Sequence, residues 1–157
     1  MPIRLYLDTN VLCRPFDDQT IGRIRRETEA FERILERIRD NDAVLVTSEI
    51  LVFEIHRIIS PAKRAKASGY LPLARVYHTL TEESLFLAEE IVSNFRLDSR
   101  DSLHVASALL ERAEYFLSCD DGVTKRFRKD TLSVTIKGQN RLLEVMNPQD
   151  FVKKIGW

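Results

Sequence analysis

Ile3-Arg4-Leu5-Tyr6-Leu7-Asp8-Thr9-Asn10 decides how the chain is read. Five residues with strand character run straight into an acid followed by Thr and Asn, types that favour turns. The next strand-like run is Ala43 to Thr47. Between the two, Ile21, Ile24, Phe31, Ile34, Leu35 and Ile38 keep the spacing of one helix face, a helix of about five turns. Strand, long helix, strand in that order predicts a parallel pair joined by a crossover.

The pattern repeats along the chain. Tyr115 to Cys119, Leu132 to Ile136 and Leu142 to Met146 are further short apolar runs rich in strand formers. A helix is expected from Thr47 and Ser48 to about Ser60, ended by Pro61. The segment from there to Gly69 is basic and weakly patterned. Another helix starts near Thr81, a good N-cap with Glu82 and Glu83 in its first turn. A third starts near Asp98 or Ser99 and turns Leu103, Ala106, Leu109, Leu110 and Ala113 inward. Alternation of this kind predicts an α/β fold with a central, mainly parallel β-sheet flanked by α-helices.

With 157 residues, 44% of them hydrophobic, the chain suffices for one sizeable core and is short for two. The five Gly and five Pro are scattered, so composition marks no linker. No apolar run reaches the ~18 residues of a membrane span, and the first residues lack the basic-then-apolar order of a signal peptide. A soluble, cytoplasmic protein that makes no membrane contact is the expectation. The two cysteines, Cys13 and Cys119, are too few for a disulfide framework and lie close in sequence to two acids of interest, which raises the question of oxidation.

Lys plus Arg and Asp plus Glu number 24 each, so net charge gives no sign of a non-specific nucleic-acid binder. Basic residues do gather, at Arg23, Arg25 and Arg26, at Lys63, Arg64 and Lys66, and at Lys125, Arg126, Arg128 and Lys129. Solvated helix faces account for such groups equally well.

The predicted topology brings four acids together. In an open parallel sheet, ligands sit outside the carboxyl ends of the strands. Asp8 and Asp120 follow strands directly, and Asp101 lies in the first turn of a helix whose N-terminus faces the same edge. Glu54 sits about 8–9 Å down the helix after Ala43 to Thr47, on the face of Ile50, Leu51 and Ile58. Each acid has an ordinary explanation. Asp8-Thr9-Asn10 fits an Asx turn, Asp101 suits a helix dipole, Asp120-Asp121-Gly122 reads as a turn, and Glu54 is explained by a salt bridge to a basic residue. Four convergent carboxylates repel unless neutralised, and a divalent cation with all-oxygen ligation, Mg²⁺ or Mn²⁺, does this. Removing one charge, at Asp8 or Asp120, is then expected to stabilise the metal-free protein. His104 follows Asp101 by three residues, but with no nucleophile elbow it reads as a packed or partly exposed helix histidine.

At these residues the sequence resembles the PIN-domain family, which includes the VapC toxins of toxin–antitoxin pairs. The matching pieces are Leu7-Asp8-Thr9-Asn10-Val11, Ser48 with Glu54, Asp101-Ser102-Leu103-His104-Val105-Ala106-Ser107-Ala108, and Ser118-Cys119-Asp120, in order across nearly the whole chain. Arg14-Pro15-Phe16-Asp17-Asp18-Gln19 further resembles a bacterial and archaeal subgroup of toxin-like members. The resemblance implies a single nuclease domain over 1–157, an endoribonuclease dependent on Mg²⁺ or Mn²⁺. It implies Asp8, Glu54, Asp101 and Asp120 as metal ligands, with Asp98 and Asp121 as possible substitutes. Thr9, Asn10 and Ser118 become supporting or substrate-side groups, and Arg14 and Phe16 candidates to meet a phosphate and a base. RNA substrate, a small antitoxin partner and a homodimer follow from the same likeness. One departure is the Pro15 loop, expected to separate the Asp-Thr-Asn turn from the first helix. The alternatives are a haloacid-dehalogenase-like phosphatase, which would want an acid where Asn10 stands, and a catalytically silent PIN-like module that binds RNA or protein.

Overall fold

The computed structural model describes residues 1–127 and 131–157; Arg128 and Lys129 of the third basic group lie outside them. Strand β1 (Ile3–Leu7) ends in three fully buried residues, Leu5, Tyr6 and Leu7. Helix α1 (Thr9–Cys13) begins at once, because the Asp8 side chain accepts from Thr9 N and caps it. The expected loop before the first helix is therefore absent. Pro15 sits instead in a 3₁₀ turn, Arg14–Phe16, that follows α1.

Helix α2 (Gly22–Arg39) buries Phe31, Ile34, Leu35 and Ile38 as its spacing predicts, while Ile21, the residue before it, is exposed. After β2 (Ala43–Ser48) comes α3 (Glu49–His56), capped by Ser48 Oγ accepting from Leu51 N. This helix ends four residues before the expected Ser60. Pro61 starts a helix instead of stopping one: α4 (Pro61–Ser68) has Pro61 in its first turn and Ser60 Oγ accepting from Lys63 N. Proline suits a first turn because its missing N–H has no intrahelical partner there.

Strand β3 (Val76–His78) is only three residues long. Its buried His78 is bonded to Ser84 Oγ at 2.6 Å and to Glu111 Oε1 at 3.0 Å. Helix α5 (Glu82–Phe95) opens with the expected Thr81 cap, and α6 (Ser99–Leu110) with Asp98. Then come β4 (Tyr115–Leu117), the single turn α7 (Asp121–Thr124), a 3₁₀ turn Lys125–Phe127, β5 (Leu132–Ile136), β6 (Gln139–Met146) and α8 (Pro148–Ile155). Lys137 and Gly138 both take positive φ, 50° and 76°, as a two-residue hairpin between β5 and β6 requires.

The six strands lie in the order β3-β2-β1-β4-β6-β5, with β5 antiparallel and every other pairing parallel. The chain builds outward from β1 to β3, then returns to place β4 on the other side of β1. The β1–β4 boundary is thus the point where strand order reverses, where the carboxyl ends leave a crevice. Asp8 and Asp120 leave the sheet there, and Asp8 N–H donates to Leu117 O at 2.9 Å across it.

Below the crevice a carboxylate is fully buried. Glu27 on α2 accepts from Arg14 Nε at 3.1 Å, lies 3.5 Å from Arg23 Nε and accepts from the Asn147 amide between β6 and α8. Arg23 continues to Asp121 and Cys119 O, and Arg14 to Asp17, which also takes Lys63 at 2.6 Å. A buried ion is tolerated only when paired and hydrogen-bonded, so this network fixes where α2 crosses the loops after α1 and β4. Arg14→Ala should therefore cost about 3 kcal/mol and lower the melting temperature by roughly 6–12 °C. Glu27→Gln should cost less. A loss below about 1 kcal/mol for Arg14→Ala in urea unfolding would show that the network is dispensable.

Candidate active site

Asp8 is 5% exposed, a deep position for a carboxylate. Three donors hold it: Thr9 N at 2.8 Å on Oδ1, and Ser118 Oγ at 2.8 Å and Asn10 Nδ2 at 3.2 Å on Oδ2. Asn10 and Ser118 also stitch the β1 and β4 loops together. Asn10 Oδ1 accepts from Cys119 N at 2.9 Å, and Ser118 Oγ accepts from Asp120 N at 3.1 Å. Thr9, Asn10 and Ser118 thus hold the Asp8 carboxylate and the two loops in place, and position 10 suits an amide that both donates and accepts. An acid there, as the phosphatase alternative wants, could not donate when ionised.

Glu54, half-buried on α3, accepts from Thr9 Oγ1 at 3.0 Å and from His104 Nε2. It thus has both of the fates considered for it: a basic partner and a place beside Asp8. His104 is a packed helix histidine, as expected, but with partners that the sequence reading did not foresee. It is fully buried on α6, with Nδ1 2.6 Å from Tyr6 Oη and Nε2 3.9 Å from Asp8 Oδ1. Tyr6 Oη in turn meets Ser48 Oγ at 2.5 Å. The one signal available was the three-residue step from Asp101, which puts both side chains on one helix face.

Asp101 and Asp120 stand further out. Asp120 is exposed and caps α7, accepting from Gly122 N at 2.7 Å. Asp98 is exposed and caps α6 by accepting from Asp101 N at 2.8 Å. Asp121 receives both Arg23 nitrogens at 2.8 and 2.9 Å. Arg14, expected on the substrate side, is committed to Glu27 and Asp17. Phe16 stacks on Tyr70 at 6.1 Å beneath Lys66. Cys119 and Cys13 are both buried, and burial raises both thiols above their ordinary value, which disfavours the thiolate.

The electrostatics reflect crowding. Burial raises the Asp8 carboxyl, against His104 and the Ser118 hydroxyl, which favour its charge. Burial would raise Glu54 also, but the His104 and Thr9 contacts outweigh it and hold Glu54 below its ordinary value. Burial pulls His104 down, yet Glu54, Asp8 and Asp101 leave it raised. Asp101 is pushed up to about 7, first by burial and then by Asp8 and Asp98, with Asp120 adding to the repulsion. One donor atom each from Asp8, Glu54 and His104 lies within 4.8 Å of the others, a group able to hold a metal ion. Two carboxylates with a third acid crowded upward beside them suit a divalent cation.

The profile of the PIN domain matches residues 5–129, and the chain belongs to this family. The fold is similar to FitAcB from Neisseria gonorrhoeae, at 19% identity over 92% of this chain and 97% of that one, with a TM-score of 0.56. It is similar also to VapBC2 from Rickettsia felis bound to a DNA fragment from their promoter, at 15% identity over 91% and 98% with a TM-score of 0.57. FitAB bound to an IR36 DNA fragment is comparable, at 18% identity over 92% and 95% with a TM-score of 0.58. No curated protein matches the sequence. PIN domains are generally metal-dependent nucleases that use divalent metals. Among the described residues no helix is long and apolar enough to cross a membrane.

These roles change which charge removal should stabilise the metal-free protein. Asn at position 8 or 120 would relieve repulsion but weaken a helix cap, whereas the Asp101 charge is opposed by burial, Asp8 and Asp98 more than His104 favours it. A carboxyl raised from 3.8 to about 7 on folding is protonated in the folded chain while already ionised in the unfolded one. Its contribution to stability is therefore intact below about pH 4 and lost as pH rises to about 7. In EDTA, Asp101→Asn should melt a few degrees above wild type at pH 8, and the lead should shrink as pH falls and vanish below about pH 4. A variant less stable at pH 8 would contradict this.

Proposed function

We infer that this protein is a divalent-metal-dependent endoribonuclease and the toxin of a toxin–antitoxin pair. The nuclease reading is supported by the PIN-family match and by acids from four separate segments, Asp8 and Glu54 together at the strand-reversal crevice and Asp101 and Asp120 further out. These four would hold Mg²⁺ or Mn²⁺, which would supply an activated water and stabilise charge on the attacked phosphate. The protein contributes the placement. Thr9, Asn10 and Ser118 fix the Asp8 oxygens, and Thr9 with His104 fixes Glu54. In-line displacement at phosphorus needs no nucleophile from the protein.

Residues 1–157 act as one nuclease domain in this reading, cytoplasmic and homodimeric. The toxin role is supported by the VapBC and FitAB assemblies that share the fold, in each of which a second protein accompanies the PIN chain. A small antitoxin that covers the acidic crevice is the corresponding partner here. The phosphatase alternative gains nothing from position 10, and a silent binding module leaves the cost of crowding Asp101 unexplained.

The test uses single-stranded RNA and p-nitrophenyl phosphate, each with Mn²⁺, Mg²⁺ or EDTA. RNA should be cut only with metal, and Asp101→Asn should slow cutting by about 100-fold or more while leaving far-UV circular dichroism unchanged. Phosphate release without RNA cleavage, or full activity in EDTA, would overturn the nuclease reading. Expression of the chain alone should slow growth and Asp101→Asn should relieve it. A harmless wild type would remove the toxin role and leave the nuclease.

A further inference from the structure

The geometry points to a mixed nitrogen–oxygen metal site in which His104 Nε2 is a ligand together with Asp8 and Glu54, so that this site takes Mn²⁺ in preference to Mg²⁺. The inference deepens the nuclease reading and rests on it.

Three features of the imidazole support it. First, position: two donors at roughly 2.1 Å from a common ion can be no more than about 4.2 Å apart. His104 Nε2 lies 3.9 Å from Asp8 Oδ1 and is in direct contact with Glu54 Oε1. The whole set spans at most 4.8 Å, so it closes on an ion with a shift of roughly half an ångström. Glu54, 20% exposed, is the member freest to make that shift.

Second, the far side of the ring is prepared. A metal-bound histidine donates its other N–H to a fixed acceptor, which sets tautomer and orientation. Here Nδ1 meets Tyr6 Oη, and Tyr6 Oη meets Ser48 Oγ. Without metal the Nε2 proton goes to Glu54; with an ion in its place the ring keeps the Nδ1 proton and donates to Tyr6, Tyr6 donates to Ser48, and the Nε2 lone pair faces the ion. Tyr6 is immobile: it is fully buried, and its ring stacks on Phe116 at 5.2 Å with 8° between planes. Third, Asp101 and His104 lie three residues apart on α6, and an acid and an imidazole at that step project from one helix face, an arrangement used for metals in helical proteins.

A buried imidazolium that only balanced charge would also bond through both nitrogens, so what separates the two roles is whether an ion takes the place of the Nε2 proton. A nitrogen donor also changes which ion is favoured, because imidazole suits transition metals and Mg²⁺ is content with oxygen.

The experiment loads the EDTA-stripped full chain with one equivalent of Mn²⁺ and records electron-spin-echo envelope modulation. RNA cleavage is measured on the same samples. The wild type should show coupling to an imidazole nitrogen. His104→Gln should lose that coupling, and its preference for Mn²⁺ over Mg²⁺ in competition titrations should fall about tenfold or more. Tyr6→Phe should keep the coupling while Mn²⁺ affinity drops roughly 10- to 100-fold. Bound Mn²⁺ without nitrogen coupling in the wild type overturns the inference, whether or not His104→Gln folds. Coupling that survives in folded His104→Gln overturns it as well. If RNA is cut while the Mn²⁺ site is all oxygen, only this inference fails. If Mn²⁺ does not bind and RNA stays intact, the nuclease reading fails with it.

Discussion

Asp8 carries its charge into a position that water barely reaches, at the one boundary of the sheet where the order of strands reverses. Much of the local structure can be understood as a response. The carboxylate needs donors, and it takes them from the first turn of α1 and from the loop after β4. Supplying them holds that loop against β1, which in turn fixes where Asp120 leaves the sheet. A neutral residue at position 8 would leave Asn10 and Ser118 with a donor each and no acceptor of equal strength.

The remaining acids answer to different constraints. Asp98 and Asp120 earn a helix cap each, so part of their presence is structural. Glu54 is neutralised by its neighbours within the protein. Asp101 is held where burial, Asp8 and Asp98 oppose its charge. Crowding of that kind is a cost to the folded chain.

What the sequence revealed depended on whether a signal was local. β1, β2 and α2 have strong patterns of their own and formed as expected, and Asp8 and Asp120 were located by topology, since an acid directly after a parallel strand has only one edge to occupy. The mistakes share a cause. Pro61 has two meanings, stop and start, and only the Ser60 cap before it decides between them. Val76-Tyr77-His78 is too short for its own periodicity to declare it, and becomes a strand because β2 lies beside it. Arg14 looked free because Glu27, thirteen residues away, gave no sign of being buried. His104 looked ordinary because its partners Tyr6 and Glu54 lie 98 and 50 residues distant.

The three-residue β3 has a consequence for how this protein meets others. An exposed sheet edge invites another chain to add a strand by backbone hydrogen bonds. At β3 the template is shorter than the five or six residues of an ordinary strand. Its last residue, His78, is turned inward and tied to α5 and to the residue that ends α6. Strand addition along this flank would gain few bonds and would have to disturb a buried imidazole. A partner on that flank would therefore have to be read through side chains, and the same brevity makes β3 a poor template for stacking.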